Sequence, residues 1–142
     1  MSGDFLDSNV LIYLLEGSAP RKRAVAAGVV KTALETGSAV ISYQVVQETL
    51  SLLTGKFSTV TSPGATTRFF DEVLAPLWSV MPSGHLYRRA LDVQSRYGFH
   101  FYDSLIVAAA LEAGCDRLLS EDFQDGQRIE GLTVVNPFRD VS

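Results

Sequence analysis

The 142-residue chain has one cysteine, one tryptophan, two histidines and two methionines, and each shortage removes a class of chemistry. Cys115 has no partner for an intrachain disulfide or a CxxC metal site. It reads as a small buried hydrophobe near a helix end, not as a nucleophile. His85 and His100 sit in no nucleophile-like motif, and no nucleophile elbow accompanies them, so Ser-His-Asp catalysis lacks its parts. His100, three residues before Asp103, is expected to be a surface histidine. No Walker-type glycine-rich loop is present, which argues against nucleotide-driven phosphoryl transfer; the isolated glycines fall at helix stops. The longest apolar run, Leu105 to Leu111, is far short of the roughly 20 residues that span a bilayer. The chain opens directly on a strand-like segment, with no basic region followed by an apolar signal core. With a single cysteine, that leads us to expect a cytosolic protein that does not engage a membrane.

Positive charge is also scarce. Twelve lysines and arginines face sixteen acids, for a net charge of −4. That balance is at first sight wrong for a protein that handles nucleic acid. Two bound divalent cations would add four positive charges and bring the total to about zero, so the charge weakens such a reading without excluding it. Apolar residues make up 46% and charged residues 20%, a soluble globular balance. The length suits one domain, 1–142, with a proper core and no disulfides. There is no internal repeat, low-complexity tract or linker.

Periodicity and punctuation predict alternating strands and helices. Strands are expected at Gly3–Leu6, Ala39–Ser42, Trp78–Met81, Arg117–Leu119 and Thr133–Val135. Helices are expected at Val10–Leu15, from Pro20 to about Glu35, at Tyr43–Leu53, Thr66–Leu74, His85–Tyr97 and Phe101–Ala113. Ser58 to Gly64 is polar and turn-rich and reads as a loop. Strands separated by helices imply an α/β fold whose mainly parallel sheet is covered on both faces. In such sheets, ligands gather beyond the carboxyl ends of the strands.

Four acids border apolar runs, with no lysine or arginine beside them: Asp7, Glu48, Asp103 and Asp122. A carboxylate at the edge of a core is costly unless it is paired or bound to a cation. Asp7 follows Phe5-Leu6; Ser8 and Asn9 would cap the next helix equally well, so capping does not call for it. Glu48 lies among Val45, Val46, Leu50 and Leu53, and an ordinary solvated helix residue is an equally good reading. Gln44 and Gln47 continue a polar stripe beside it. Asp103 occupies the first turn of a helix too apolar to be exposed, where the helix dipole favours a carboxylate. Asp122 follows Leu118-Leu119-Ser120, with Glu121 and Asp125 as less certain members of the same turn. Ser120 offers a hydroxyl there. All these ligands are hard oxygens, which favours Mg²⁺ or Mn²⁺ over zinc and points to metal-dependent phosphodiester hydrolysis.

Several other features have bland readings. Arg21-Lys22-Arg23 and Arg88-Arg89 with Arg96 are the densest basic groups, and solvated helix faces explain them at least as well as phosphate binding does. Tyr43 and Phe101 fit core packing better than base stacking. Leu14, Leu15, Val29 and Leu34 would give the N-terminal half an apolar groove for an amphipathic partner segment.

Taken in order, these segments resemble the PIN-domain ribonucleases, specifically VapC-type toxins of bacterial toxin–antitoxin pairs. Phe5-Leu-Asp-Ser-Asn-Val-Leu-Ile-Tyr is similar to the family's opening strand and first acid. Ile41-Ser-Tyr-Gln-Val-Val-Gln-Glu-Thr-Leu is similar to its second segment, and Phe101-Tyr-Asp-Ser-Leu-Ile-Val-Ala-Ala-Ala to its third. Leu118-Leu-Ser-Glu-Asp-Phe-Gln-Asp-Gly and Val135-Asn-Pro-Phe resemble the last. The resemblance covers about Asp4 to Phe138. It implies a three-layer α/β/α fold with a central five-stranded sheet, and Mg²⁺ or Mn²⁺ held by Asp7, Glu48, Asp103 and Asp122. Asn9 and Ser120 would orient ligands or water, and Glu121 could share the fourth position. The implied activity is endonucleolytic cleavage of RNA by the toxin of a type II pair. The implied partners are a cognate antitoxin in the catalytic groove and a second copy in a homodimer. A catalytically idle PIN-like module that binds protein or RNA, and a housekeeping RNA-processing nuclease, are the alternatives.

Overall fold

The computed structural model describes residues 3–58 and 61–141. Phe5 and Leu6 are fully buried and sit in the middle of the sheet. Their strand, β1 (Asp4–Leu6), runs parallel between β2 (Ala39–Ser42) and β4 (Arg117–Leu119). Phe5 stands level with Val40 on one side and Leu118 on the other. Outward from β2 lies β3 (Trp78–Val80); outward from β4 lie β6 (Leu132–Val135) and β5 (Arg128–Ile129). The order is therefore β3-β2-β1-β4-β6-β5.

Five strands are mutually parallel, as expected, but among the described residues the sheet has six. The addition is β5, a two-residue strand antiparallel to β6. The chain reverses between them at Glu130–Gly131, where Glu130 takes a positive φ of 56°. A run as short as Arg128–Ile129 carries no readable alternation, so sequence periodicity does not reveal it.

Helices cover the sheet in a three-layer α/β/α arrangement. In chain order they are α1 (Ser8–Ile12), α2 (Pro20–Thr36), α3 (Tyr43–Thr54), α4 (Pro63–Phe69), α5 (Ala75–Leu77), α6 (Gly84–Tyr97) and α7 (Phe101–Glu112). Pro20 opens α2, where its missing N–H costs nothing. Gly37 and Gly98 close α2 and α6 in the left-handed region, at φ 67° and 74°. Helix α7 is buried without a break from Ser104 to Ala110, as its lack of a wide polar face implies.

Two helical expectations change. The expected loop at Ser58–Gly64 is shorter, because Ser62 caps α4 with its side chain and Pro63 and Gly64 already belong to the helix; Thr59 and Val60 lie outside the described residues. Helix α4 also does not stop before Pro76. It widens into a π-helical turn, Phe70–Leu74, in which Ala75 N–H reaches back to the Phe70 carbonyl, and continues as α5 to Leu77. A proline removes one helical donor and crowds the turn before it, and a wider turn relieves both.

On one side of β1 the chain continues to β2 and β3, and on the other it returns to β4. The direction of winding reverses between β1 and β4. In open α/β sheets the crevice beyond the strand ends at such a point is where ligands bind. Asp7 directly follows β1, and Ser120 to Asp122 directly follow β4.

Candidate active site

Asp7 is the best-buried acid of the site, with 5% of its surface exposed. It is also the N-cap of α1, a role that the sequence leaves equally open to Ser8 and Asn9; both of these lie inside the helix. Because the strand gives way to the helix with no spare residue, the residue at the joint is the one that caps. Asp7 Oδ1 accepts from the Ser8 amide at 2.8 Å, and Oδ2 accepts from the Ser120 hydroxyl at 2.7 Å. Burial pushes its carboxyl up from the ordinary 3.8 to about 7. The two hydrogen bonds pull it down, and the negative charges of Asp122 and Glu48 add to the rise.

Ser120 is fully buried and joins both sides of the crevice. Its Oγ donates to Asp7 and accepts from Asn9 Nδ2 at 3.2 Å and from the Asp122 amide at 3.0 Å. Asn9 Nδ2 also reaches Asp122 Oδ2 at 3.2 Å. The turn after β4 is thus tied to the start of α1 by a network whose members lie more than a hundred residues apart in sequence.

Glu48 projects from the middle of α3, half-buried. Its Oε2 accepts from Gln44 Nε2 at 3.1 Å. Asp103 sits in the first turn of α7, also half-buried. Burial raises its carboxyl above the usual range, the Asp122 charge raises it further, and His100 lowers it. His100 itself is exposed, as expected, but its ring lies near enough to bear on Asp103.

Asp7, Glu48, Asp103 and Asp122 line one cleft of about 490 Å³, together with Ser8, Gln47 and Ser51. Glu121 is turned elsewhere. Its Oε1 accepts from the Tyr13 hydroxyl at 2.7 Å and its Oε2 from Lys22 Nζ at 3.1 Å. Asp125 is outside the cleft as well, bonded to the Asn136 amide at 2.7 Å and to Arg139 at 2.9 Å. Lys22 is therefore no free phosphate contact, whereas Arg21, Arg23, Arg88 and Arg96 are exposed. Tyr43 and Phe101 are half-buried against the core, and Tyr102 beside them is 67% exposed. Leu14, Leu15 and Val29 pack on the core, leaving Leu34 as the exposed member of the anticipated apolar group. Cys115 is half-buried and its thiol is pushed up to about 11 by burial, which leaves it unreactive.

Sequence reasoning took Gln44 only as a polar neighbour, read Lys22 only as part of a basic run, and gave Tyr13 no role. The i, i+4 spacing of Gln44 and Glu48 was a usable signal. For Tyr13, Lys22 and Glu121 no local signal exists, because their contact is made only by the fold.

Four carboxylates with hard oxygens around one cleft suit a hard divalent cation. Among the described residues, no three Asp, Glu, His or Cys side chains stand close enough to form a finished cage. Like charges keep such side chains apart until a cation offsets them, so the fit lies in chemistry and placement rather than in preset geometry.

The PIN-domain family model matches residues 5–127. No curated protein matches the chain. Among solved structures, a toxin–antitoxin complex from Klebsiella pneumoniae is 23% identical, covers 95% of this chain and 98% of that one, and gives a TM-score of 0.68. FitAcB from Neisseria gonorrhoeae is 14% identical over 96% of this chain and 99% of that one, with a TM-score of 0.67. Mycobacterium tuberculosis VapC20, described as a sarcin-ricin-loop-cleaving toxin, is 17% identical over 84% and 92%, with a TM-score of 0.60. At these identities the likeness is one of fold, which extends nearly end to end. With its four acids gathered at the strand ends and the family model spanning most of its length, the chain belongs to the PIN-domain family.

Proposed function

We propose that the protein is a divalent-metal-dependent endoribonuclease that hydrolyses RNA phosphodiester bonds and acts as the toxin of a type II toxin–antitoxin pair. The observation that supports this most is the meeting of Asp7, Glu48, Asp103 and Asp122, from four separate segments, in one cleft at the switch point of a PIN fold. When bound there, Mg²⁺ or Mn²⁺ supplies positive charge for an in-line displacement at phosphorus and eases ionisation of water.

The chain's own groups supply orientation. Asp7 is held by one hydrogen bond on each oxygen, so its carboxylate keeps one direction. Asn9 and Ser120 hold the Asp122 turn against α1. Asp103, at the mouth of α7, completes the acidic wall. Glu121 is left out of the ligand set in this reading, since Tyr13 and Lys22 occupy both its oxygens.

The partners follow from the same reading. RNA is the substrate, an antitoxin protein silences the cleft, and two copies of the toxin associate. The structural neighbours include toxin–antitoxin complexes, among them a VapBC from Salmonella typhimurium bound to DNA, which supports the antitoxin partner. Action in the cytoplasm belongs to this proposal. No described helix is long and apolar enough to cross a membrane.

The test is cleavage of a broad RNA panel with Mg²⁺ or Mn²⁺, then with EDTA, combined with mapping of RNA 5′ ends after brief induced expression. Cation-dependent cutting at defined positions, abolished by EDTA, is the expected result. Absence of cutting across the panel would favour an idle binding module instead. Cutting without growth arrest would favour a housekeeping nuclease.

A further inference from the structure

We infer that Gln44 is a positioning residue that fixes Glu48 for the cation by tying α3 to the start of α7; this rests on the proposed metal-dependent reading of the cleft. Gln44 is 4% exposed. Its Nε2 lies 3.1 Å from Glu48 Oε2 and 3.1 Å from the Tyr102 carbonyl. Both neighbours are acceptors, so only the NH₂ end of the amide can stand between them. Rotated by half a turn, the amide would set its oxygen against two others. The orientation of the side chain is thus settled by chemistry.

The cost of that orientation is visible. With both protons committed, Gln44 Oε1 is buried and has no hydrogen-bond partner among the described residues. An unpaired buried carbonyl is destabilising. Methionine or leucine would fill nearly the same space with no such penalty, so packing alone does not account for glutamine here. What an apolar residue cannot supply is the pair of donated bonds.

Those bonds join two ligand candidates from separate helices. One runs to the carboxylate of Glu48, and the other to the backbone immediately before Asp103. Helices α3 and α7 are not otherwise packed broadly on each other. The Tyr102 carbonyl lies in the first turn of α7, where the amide four residues on also donates to it, so losing Gln44 does not leave it bare. The amide therefore holds Glu48 in one rotamer at a set separation from Asp103. Fixing a ligand before the cation arrives raises affinity, and loss of such a partner typically costs about 10- to 100-fold in metal binding.

The experiment is a Mn²⁺ titration followed by thermal unfolding, on wild type, Gln44→Met, Glu48→Gln and the double variant. Gln44→Met is expected to keep or slightly raise the metal-free Tm, since the orphaned carbonyl is gone. It should raise the Mn²⁺ concentration needed for half-maximal stabilisation by about tenfold or more. In the Glu48→Gln background the same change should add less than about twofold, because the residue it orients no longer carries charge. If Gln44→Met lowers the metal-free Tm substantially, Gln44→Leu is read in its place. A half-maximal concentration within twofold of wild type, or the same shift in both backgrounds, would overturn the inference while leaving the nuclease reading intact. A wild-type protein with no Mn²⁺ response would overturn both.

Discussion

The Ser120 hydroxyl donates to Asp7 Oδ2 across 2.7 Å, joining residues 113 positions apart at the point where β1 and β4 end side by side. Ser120 Oγ also accepts from Asn9 and from the Asp122 amide, so one buried oxygen links three of the groups around the cleft. Replacing it by alanine leaves a buried carboxylate short of one hydrogen bond, a loss of about 1.5–3 kcal/mol for a bond to a charged group. Ser120→Ala is expected to remain folded, to melt at lower temperature, and to cleave RNA about 10- to 100-fold more slowly. Thermal unfolding and initial rates at saturating Mn²⁺ check both parts.

Asp7 also predicts how metal-free stability varies with pH. In the unfolded chain its carboxyl takes up a proton near 3.8, and in the folded protein near 7. Between those values the folded state binds more protons than the unfolded one, so stability falls as pH rises. The contribution is complete below the unfolded value and lost as pH passes through 7. Asp103, whose carboxyl is also raised by burial, works in the same direction. With EDTA present, the Tm is expected to fall between pH 5 and pH 8, and Asp7→Asn should flatten that fall. Saturating Mn²⁺ should restore stability most at the higher pH, where the proton no longer competes. A metal-free Tm that rises from pH 5 to pH 8, and rises equally in Asp7→Asn, would contradict this assignment.

Neighbouring acids in one turn are expected to behave differently. Asp122 borders the cleft, whereas Glu121 is held by Tyr13 and Lys22. Glu121→Gln removes an ion pair whose side chains are each 23% exposed, a change of at most about 1 kcal/mol in stability. Its RNA cleavage should stay within about threefold of wild type. Asp122→Asn removes a charge from the proposed ligand set and should slow cleavage by about a hundredfold or more, several kcal/mol of barrier. Equal losses in the two variants would return Glu121 to the fourth ligand position.

The strand β4 and the buried α7 were legible because their signals are local: an apolar run before a turn, and a helix with no polar face. Gly37 and Gly98 marked helix ends for the same reason. That Asp7 rather than Ser8 or Asn9 caps α1 was left open, since all three are competent caps and only the abrupt end of β1 decides among them. The direction of Glu121 depends on Tyr13 and Lys22, brought near by folding and not by sequence spacing. The π-helical turn before Pro76 and the two-residue β5 were hidden because neither leaves a periodic pattern. The four acids, with Asn9 and Ser120 beside them, could be anticipated from the sequence, whereas the hold of Tyr13 and Lys22 on Glu121 and of Gln44 on the Tyr102 carbonyl are contacts made by folding and could not.

The most direct measurement is anomalous diffraction from crystals equilibrated with Mn²⁺. The account predicts an anomalous peak in the cleft, with carboxylate oxygens of at least two of Asp7, Glu48, Asp103 and Asp122 at about 2.0–2.2 Å. Those distances require the side chains to close from their present separation. A cleft without a peak at saturating Mn²⁺, or a peak held only by residues outside this set, would contradict it.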